Sequence, residues 1–203
     1  PLELSDFDSV REFAESLPKA GIDHLDIVLL NAGKWSDTFI TNKEGIESML
    51  AGHHLGHAYL FELLTPLMLK SSDEVRVVIT SSAAHIFPHG DGIGYNITKE
   101  DFTPWTAYGN SKLANLLYAR GLSFRMDEMY PGKFKVNSIH PGIVKTNLGP
   151  VSEKLPNFLA YSPLQAALTL VRPAVDEDVE ADGYYLPVGY RGDWYKDSAY
   201  WWT

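Results

Sequence analysis

Apolar and polar positions follow two alternating regimes along the chain. From Ser5 to Leu17 the apolar residues Val10, Phe13, Ala14 and Leu17 form one helical stripe, with Ser5 or Asp6 placed to cap it. Leu25 to Leu30 is then nearly continuous apolar sequence, the pattern of a strand buried on both faces of a parallel sheet. A long helical stretch follows over 43–70, with Pro66 as the expected kink. Val75 to Thr80 reads as the next buried strand, and 83–104, rich in Gly and Pro, as a long loop. Trp105 to Met129 has helical patterning, Phe134 to Ile139 is a third strand, Ser162 to Val171 a helix and Gly183 to Pro187 a short fourth strand.

Strands that alternate with helices of this length imply right-handed βαβ units and a parallel sheet. The expected fold class is therefore α/β, a Rossmann-like three-layer αβα arrangement, in a single domain over 1–203. In such sheets ligands bind beyond the carboxyl ends of the strands. Three strand ends should line one crevice: Asn31-Ala32-Gly33, Ser81-Ser82 and His140-Pro141-Gly142.

Composition narrows the function classes. The 203 residues carry 17 basic and 26 acidic side chains, a formal net charge of −9. That balance repels phosphate backbones and sets nucleic acid aside as a partner. There is no cysteine, which removes thiolate chemistry and disulfides. No apolar run reaches the ~18 residues of a membrane span, and Pro1 to Asp8 does not read as a signal peptide. A cytoplasmic location is the expectation.

Tyr108 and Lys112 stand four apart at the start of a helix, on one face. A phenol titrates near pH 10, and a neighbouring ammonium lowers that value enough for acid–base work. Alone, such a pair is more often a solvated surface contact. Its order behind three strand-end motifs changes the odds. With Asn31-Ala32-Gly33, Thr80-Ser81-Ser82, Tyr108 to Lys112 and Pro141-Gly142-Ile143-Val144-Lys145-Thr146, the chain resembles the short-chain dehydrogenase/reductase family. His54-Leu55-Gly56-His57 and Leu4 to Ala14 resemble its retinol-dehydrogenase-like branch. The resemblance runs from residue 1 to about residue 150.

The resemblance implies an NAD(P)(H)-dependent oxidoreductase, a carbonyl reductase or alcohol dehydrogenase that interconverts an alcohol and a carbonyl compound. Tyr108 would pass the proton, Lys112 would lower its pKa and bind the nicotinamide ribose, and Ser82, rather than Ser81, would steady the substrate oxygen. Asn31, Ala32 and Gly33 would line the ribose. Pro141, Gly142, Val144 and Thr146 would contact the nicotinamide end, and Glu3 and Leu4 the adenine. NADP is expected ahead of NAD, because of the branch. Helices over 43–70 and 105–129 would supply a homodimer interface in some relatives, while others are monomers.

Two departures stand out. Where the family has an Asn that helps hold a proton-relaying water, this chain has His53. The family's glycine-rich pyrophosphate turn has no counterpart either. Gly90-Asp91-Gly92-Ile93-Gly94 follows no strand and does not qualify. The N-terminal strands of the fold are thus expected to be missing from this chain, which would read as part of a longer protein and leave Leu25 to Leu30 with an open edge.

Other readings compete. His53 and His57 share a helix face, but a metal needs a third ligand, and His85 and His89 lie in an unrelated loop; no metal is expected. His140 reads as structural. Ser82 lacks the Gly-x-Ser-x-Gly elbow of a hydrolase. Asn96-Ile97-Thr98 fits a glycosylation acceptor by chance. The aromatic tail (Tyr184, Tyr185, Tyr190, Trp194, Tyr195, Tyr200, Trp201, Trp202) is either packed on the domain or an apolar wall that favours a lipophilic substrate. His53 and the missing turn also keep open a non-catalytic protein of the same fold that binds a ligand or partner.

Overall fold

The computed structural model describes residues 1–192 apart from 89, 91, 147, 149–155 and 157–159. Its elements are α1 (Phe7–Lys19), β1 (Ile27–Leu30), α2 (Ser48–Leu50), a π-helical segment (Ala51–Leu55), α3 (Gly56–Met68), β2 (Val75–Thr80), a 3₁₀ turn (Ala83–Ile86), α4 (Pro104–Met129), β3 (Phe134–Ile139), α5 (Pro163–Val175), β4 (Tyr184–Leu186) and β5 (Tyr190–Gly192). The sheet order is β1-β2-β3-β4-β5, parallel throughout except that β5 folds back antiparallel on β4. This is the α/β, Rossmann-like architecture expected from the alternation of strands and helices.

Side-chain parity assigns the two layers. Val28, Leu30, Val75, Val77, Ile79, Phe134 and Val136 face α1, α3 and α4, packing on Val10, Phe61, Leu64, Leu122 and Met126. Val78, Ile139 and Tyr185 face the other way, onto Ala174 of α5 and Val179. Local signals set the helix ends. Asp6 accepts the Asp8 amide at the start of α1, Thr103 caps α4 ahead of Pro104, and Ser162 and Gln165 form a reciprocal capping box on α5.

Several expectations need correction. β1 is not buried on both faces: Ile27 and Leu29, in register with Arg76 and Val78 on the α5 side, stay 43% and 42% exposed. They are covered only in part, and α5 itself exposes Leu164, Leu168, Val171 and Val175 along one stripe. The helical stretch continues through Pro66 to Met68, and an irregularity that the sequence pattern did not signal lies earlier, in the π-helical turn Ala51–Leu55. α5 extends four residues beyond the expected end. Within the long loop Ala83–Ile86 is a 3₁₀ turn. Of the aromatic tail, Tyr184 and Tyr185 are core residues and Tyr190 is exposed. Trp194, Tyr195, Tyr200, Trp201 and Trp202 lie outside the described residues, as do His89 and most of 147–159.

Candidate active site

The carboxyl ends of β1, β2 and β3 meet as the parallel topology requires. Thr80, closing β2, donates its hydroxyl to Asn31 Oδ1 at 2.9 Å, which ties the end of β2 to the end of β1. The Ser81 amide donates to the Ile139 carbonyl at 2.8 Å, continuing the ladder to β3. Asn31, Ala32, Gly33 and Lys34 remain exposed, so this loop forms an open rim.

Helix α4 crosses behind the strand ends and brings in Tyr108 and Lys112. Lys112 is buried, and its Nζ donates to the Thr80 carbonyl at 3.2 Å. Asn115, one turn on, donates to the same oxygen at 3.0 Å. Ser81 is committed to α4, with its Oγ donating to the Lys112 carbonyl at 2.7 Å. Ser82 is the serine on the side of the phenol, near enough to pull the Tyr108 pKa down, while its Oγ accepts the Ala84 amide at 3.2 Å and so caps the 3₁₀ turn.

Burial governs the charges here. Desolvation disfavours the phenolate and raises Tyr108 to about 12, opposed by Ser82. Desolvation of the ammonium brings Lys112 down to about 8. The expected lowering of the Tyr108 pKa by Lys112 is not what this arrangement produces. The ammonium sits 5.5 Å from the ring centroid, over its face, in a cation–π contact.

Gly109 explains how close the 3₁₀ turn comes to α4. A Cβ there would overlap the Phe87 carbonyl oxygen and lie 2.6 Å from that of Ala84. Asn110, fully buried, holds the loop from the same helix: its amide donates to the Gly94 carbonyl at 2.9 Å, and its Oδ1 accepts the Gly94 amide at 2.7 Å. Trp35 closes the other side, its ring 5.4 Å from Tyr108 and 4.9 Å from Trp105.

The remaining sequence-predicted residues fall around this centre. Glu3 lies at the rim, with its Oε1 4.0 Å from Lys34 Nζ; hydrogen bonds from Ser5 hold its carboxyl below the usual range. Leu4 packs on the edge of the main core. Pro141 and Gly142 follow β3 directly, with Gly142 at φ +81°. Val144 pairs with Tyr161 in an isolated parallel bridge, and Thr146 Oγ1 accepts the Leu148 amide. His53 is buried between the Asn31–Lys34 rim and α4, its ring 5.7 Å from Tyr108. Among the described residues no cluster of His, Asp or Glu is arranged to hold a metal ion. Sequence reasoning missed Trp35, Asn110 and Ser111. Trp35 belongs to no motif, Asn110 and Ser111 fill the variable positions between Tyr108 and Lys112, and only the folded contacts reveal their roles.

Comparison with known proteins decides the family. The family model described as short chain dehydrogenase matches residues 1–155. The chain belongs to the short-chain dehydrogenase family. It is 33% identical over 189 residues to retinol dehydrogenase 14 of Mus musculus, covering 88% of this chain and 55% of that protein. It is 37% identical over 153 residues to the chloroplastic short-chain dehydrogenase TIC 32 A of Brassica napus, covering 72% and 47%. These similarities place it in the retinol-dehydrogenase-like branch, and the chain spans about half the length of the curated relatives it matches. Among solved structures, an uncharacterized protein from Mycobacterium Paratuberculosis matches with TM-score 0.70 at 28% identity, over 94% of this chain and 64% of that one. An NADPH bound carbonyl reductase from chicken fatty liver shares the fold, with TM-score 0.70 at 18% identity, over 96% and 76%. No helix among the described residues of this short-chain dehydrogenase is long and apolar enough to cross a membrane.

Proposed function

We propose that the protein interconverts an alcohol and a carbonyl compound with a nicotinamide cofactor, NADP ahead of NAD, and that Tyr108 passes the proton. The observation that carries this reading is the convergence of Ser82, Tyr108 and Lys112 at the ends of β1 and β2: Ser82 on the phenol, and Lys112 on the Thr80 carbonyl beside the open Asn31–Gly33 rim. The cofactor, when bound, supplies or accepts the hydride.

The chain fits the nicotinamide–ribose half of that cofactor. Gly33 leaves space beside two buried polar groups, since a Cβ there would lie 3.3 Å from His53 Nε2 and 3.8 Å from Lys112 Nζ. Asn31, Ala32, Gly33, Tyr108 and Lys112 would hold the ribose, and Pro141, Gly142, Val144 and Thr146 the nicotinamide end. Glu3 and Leu4 would flank the adenine. No segment at these strand ends carries the glycine-rich turn that grips a pyrophosphate.

Ser82 steadies the oxygen of the reacting carbon, and Tyr108 gives it a proton in reduction or takes one in oxidation. Trp35 and Trp105 line the approach with apolar surface, which suits a lipophilic substrate. A homodimer through α3 and α4 and a cytoplasmic location belong to the same reading. His53, where the family has an Asn, motivates a second reading, a protein of this fold that binds a ligand or partner without turnover.

Fluorescence titration of the whole protein with NADPH and NADH, followed by turnover with a lipophilic aldehyde, separates the two. Saturable NADPH binding with oxidation supports the enzyme. No binding and no oxidation supports the second reading.

A further inference from the structure

His53 is the residue by which this chain departs from its family at the site, and its hydrogen bonds fix its chemistry. The backbone amide of Lys34 donates to Nε2 at 2.9 Å. An amide N–H only donates, so Nε2 presents a lone pair. Nδ1 lies 2.8 Å from Ser111 Oγ, and the Ser111 hydroxyl spends its one proton on the Tyr108 carbonyl at 2.7 Å. Nδ1 must therefore carry the hydrogen. The ring is neutral, its tautomer is set by its partners, and both nitrogens are used. The groups around it keep it so. Burial disfavours the charged form most, followed by Lys112 from α4 and His57 from α3. The π-helical turn presents the His53 carbonyl to His57, whose Nδ1 donates to it at 2.8 Å.

We propose that His53 is a positioning residue that locks the Asn31–Lys34 rim to the first turns of α4, and that it hands on no proton. This rests on the proposed function for its purpose but not for its geometry. The path Lys34 N–H to His53 to Ser111 to the Tyr108 carbonyl ends on an acceptor, so a proton entering it has no exit. The same path joins the loop that would line the ribose to the helix that carries Tyr108 and Lys112. An imidazole can do this because its two nitrogens face opposite ways and reach two elements at once. The Asn of the family has both polar atoms at one end.

Nitrogen-15 NMR of the 203-residue chain tests the tautomer directly. His53 should show the neutral Nδ1–H pattern, unchanged between pH 8 and 6. An Nε2–H pattern, or titration in that range, would overturn the proposal. Hydrogen exchange at the Lys34 amide tests the lock without any cofactor. His53→Gln places an acceptor near Nε2 and should keep Lys34 protected, whereas His53→Asn places its amide near Nδ1 and should lose protection at least tenfold. Equal exchange in the wild type and His53→Asn overturns the lock. In the turning-over protein, His53→Gln should lower kcat while leaving the shape of its pH profile unchanged. A lost limb of that profile would mean a relay. Failure of nicotinamide binding would sink the proposed function yet leave the NMR and exchange results to judge His53.

Discussion

The Lys112 ammonium lies over the Tyr108 ring, 5.5 Å from its centre, with its proton directed at the Thr80 carbonyl. That pose makes Lys112 a buried cation whose nearest hydrogen-bond partner is neutral. Its pKa falls to about 8 in the folded chain, against about 10.4 for an unfolded lysine. Between those values the unfolded state binds more protons than the folded state, so stability rises with pH across that window. The full relief is of order 3 kcal/mol. Urea unfolding at pH 7.5, 8.5 and 9.5 should show the rise, and Lys112→Met should flatten it. A flat profile in the wild type would mean that the ammonium is better solvated than its burial implies.

Tyr108→Phe removes the hydroxyl that Ser82 contacts and little else, because the ring remains between Trp35 and His53. Positioned acid–base groups contribute about 10²–10⁴-fold. In the whole protein kcat should fall by that range, while the nicotinamide Kd from fluorescence titration changes only a few-fold. Retention of most of kcat would remove Tyr108 from the proton step.

Gly109→Ala acts on the same pair from behind. The new Cβ meets the carbonyls of Phe87 and Ala84, which are backbone and cannot swing aside. The turn after Ser82 must shift, and overpacking of this kind costs about 1–3 kcal/mol. A drop of several degrees in Tm should accompany a larger loss in kcat than in nicotinamide affinity. An unchanged Tm would show that the turn has room to retreat.

Acid should unfold the chain by way of its histidines. Burial lowers His53, His54, His57, His85 and His140, with His57 at about 4 and His140 at about 3. Each binds a proton when unfolded near pH 6.5 but not when folded, so the stability it contributes is complete above 6.5 and lost as pH falls towards the folded value. For His57 alone the loss is roughly 3 kcal/mol. Tm should fall steeply from pH 6.5 to 4.5, and His57→Leu should make the fall shallower.

The strand-end motifs were legible because the sequence states them twice, once as apolar runs that bury and once as the short polar segments that follow. Val75 to Thr80 and Phe134 to Ile139 are central strands and match their apolar runs residue for residue. Leu25 to Leu30 carries the same pattern, but burial on both faces requires neighbours that β1 lacks on the α5 side. The role of His53 was illegible for a different reason. Its partners, Lys34 and Ser111, lie 19 and 58 residues away, and neither has a residue type that marks it. The balance of charge at Tyr108 was misjudged because spacing on a helix says which side chains are near but not how much water is excluded.

Ile27 and Leu29 on β1, with Leu164, Leu168, Val171 and Val175 on α5, leave apolar surface open on one layer of the sheet. Among the described residues β1 is also the edge of the sheet, a position that favours pairing with another chain. Exposed apolar surface binds hydrophobic dyes and promotes association. The 203-residue chain should therefore enhance ANS fluorescence at neutral pH and self-associate with rising concentration in sedimentation velocity. Leu164 is 78% exposed, so Leu164→Lys should leave Tm nearly unchanged. Combined with Leu168→Lys it should lower both dye binding and association. A double variant that associates as strongly as the wild type would shift the cause from the α5 stripe to the open edge of β1, where Leu29→Lys is the decisive substitution.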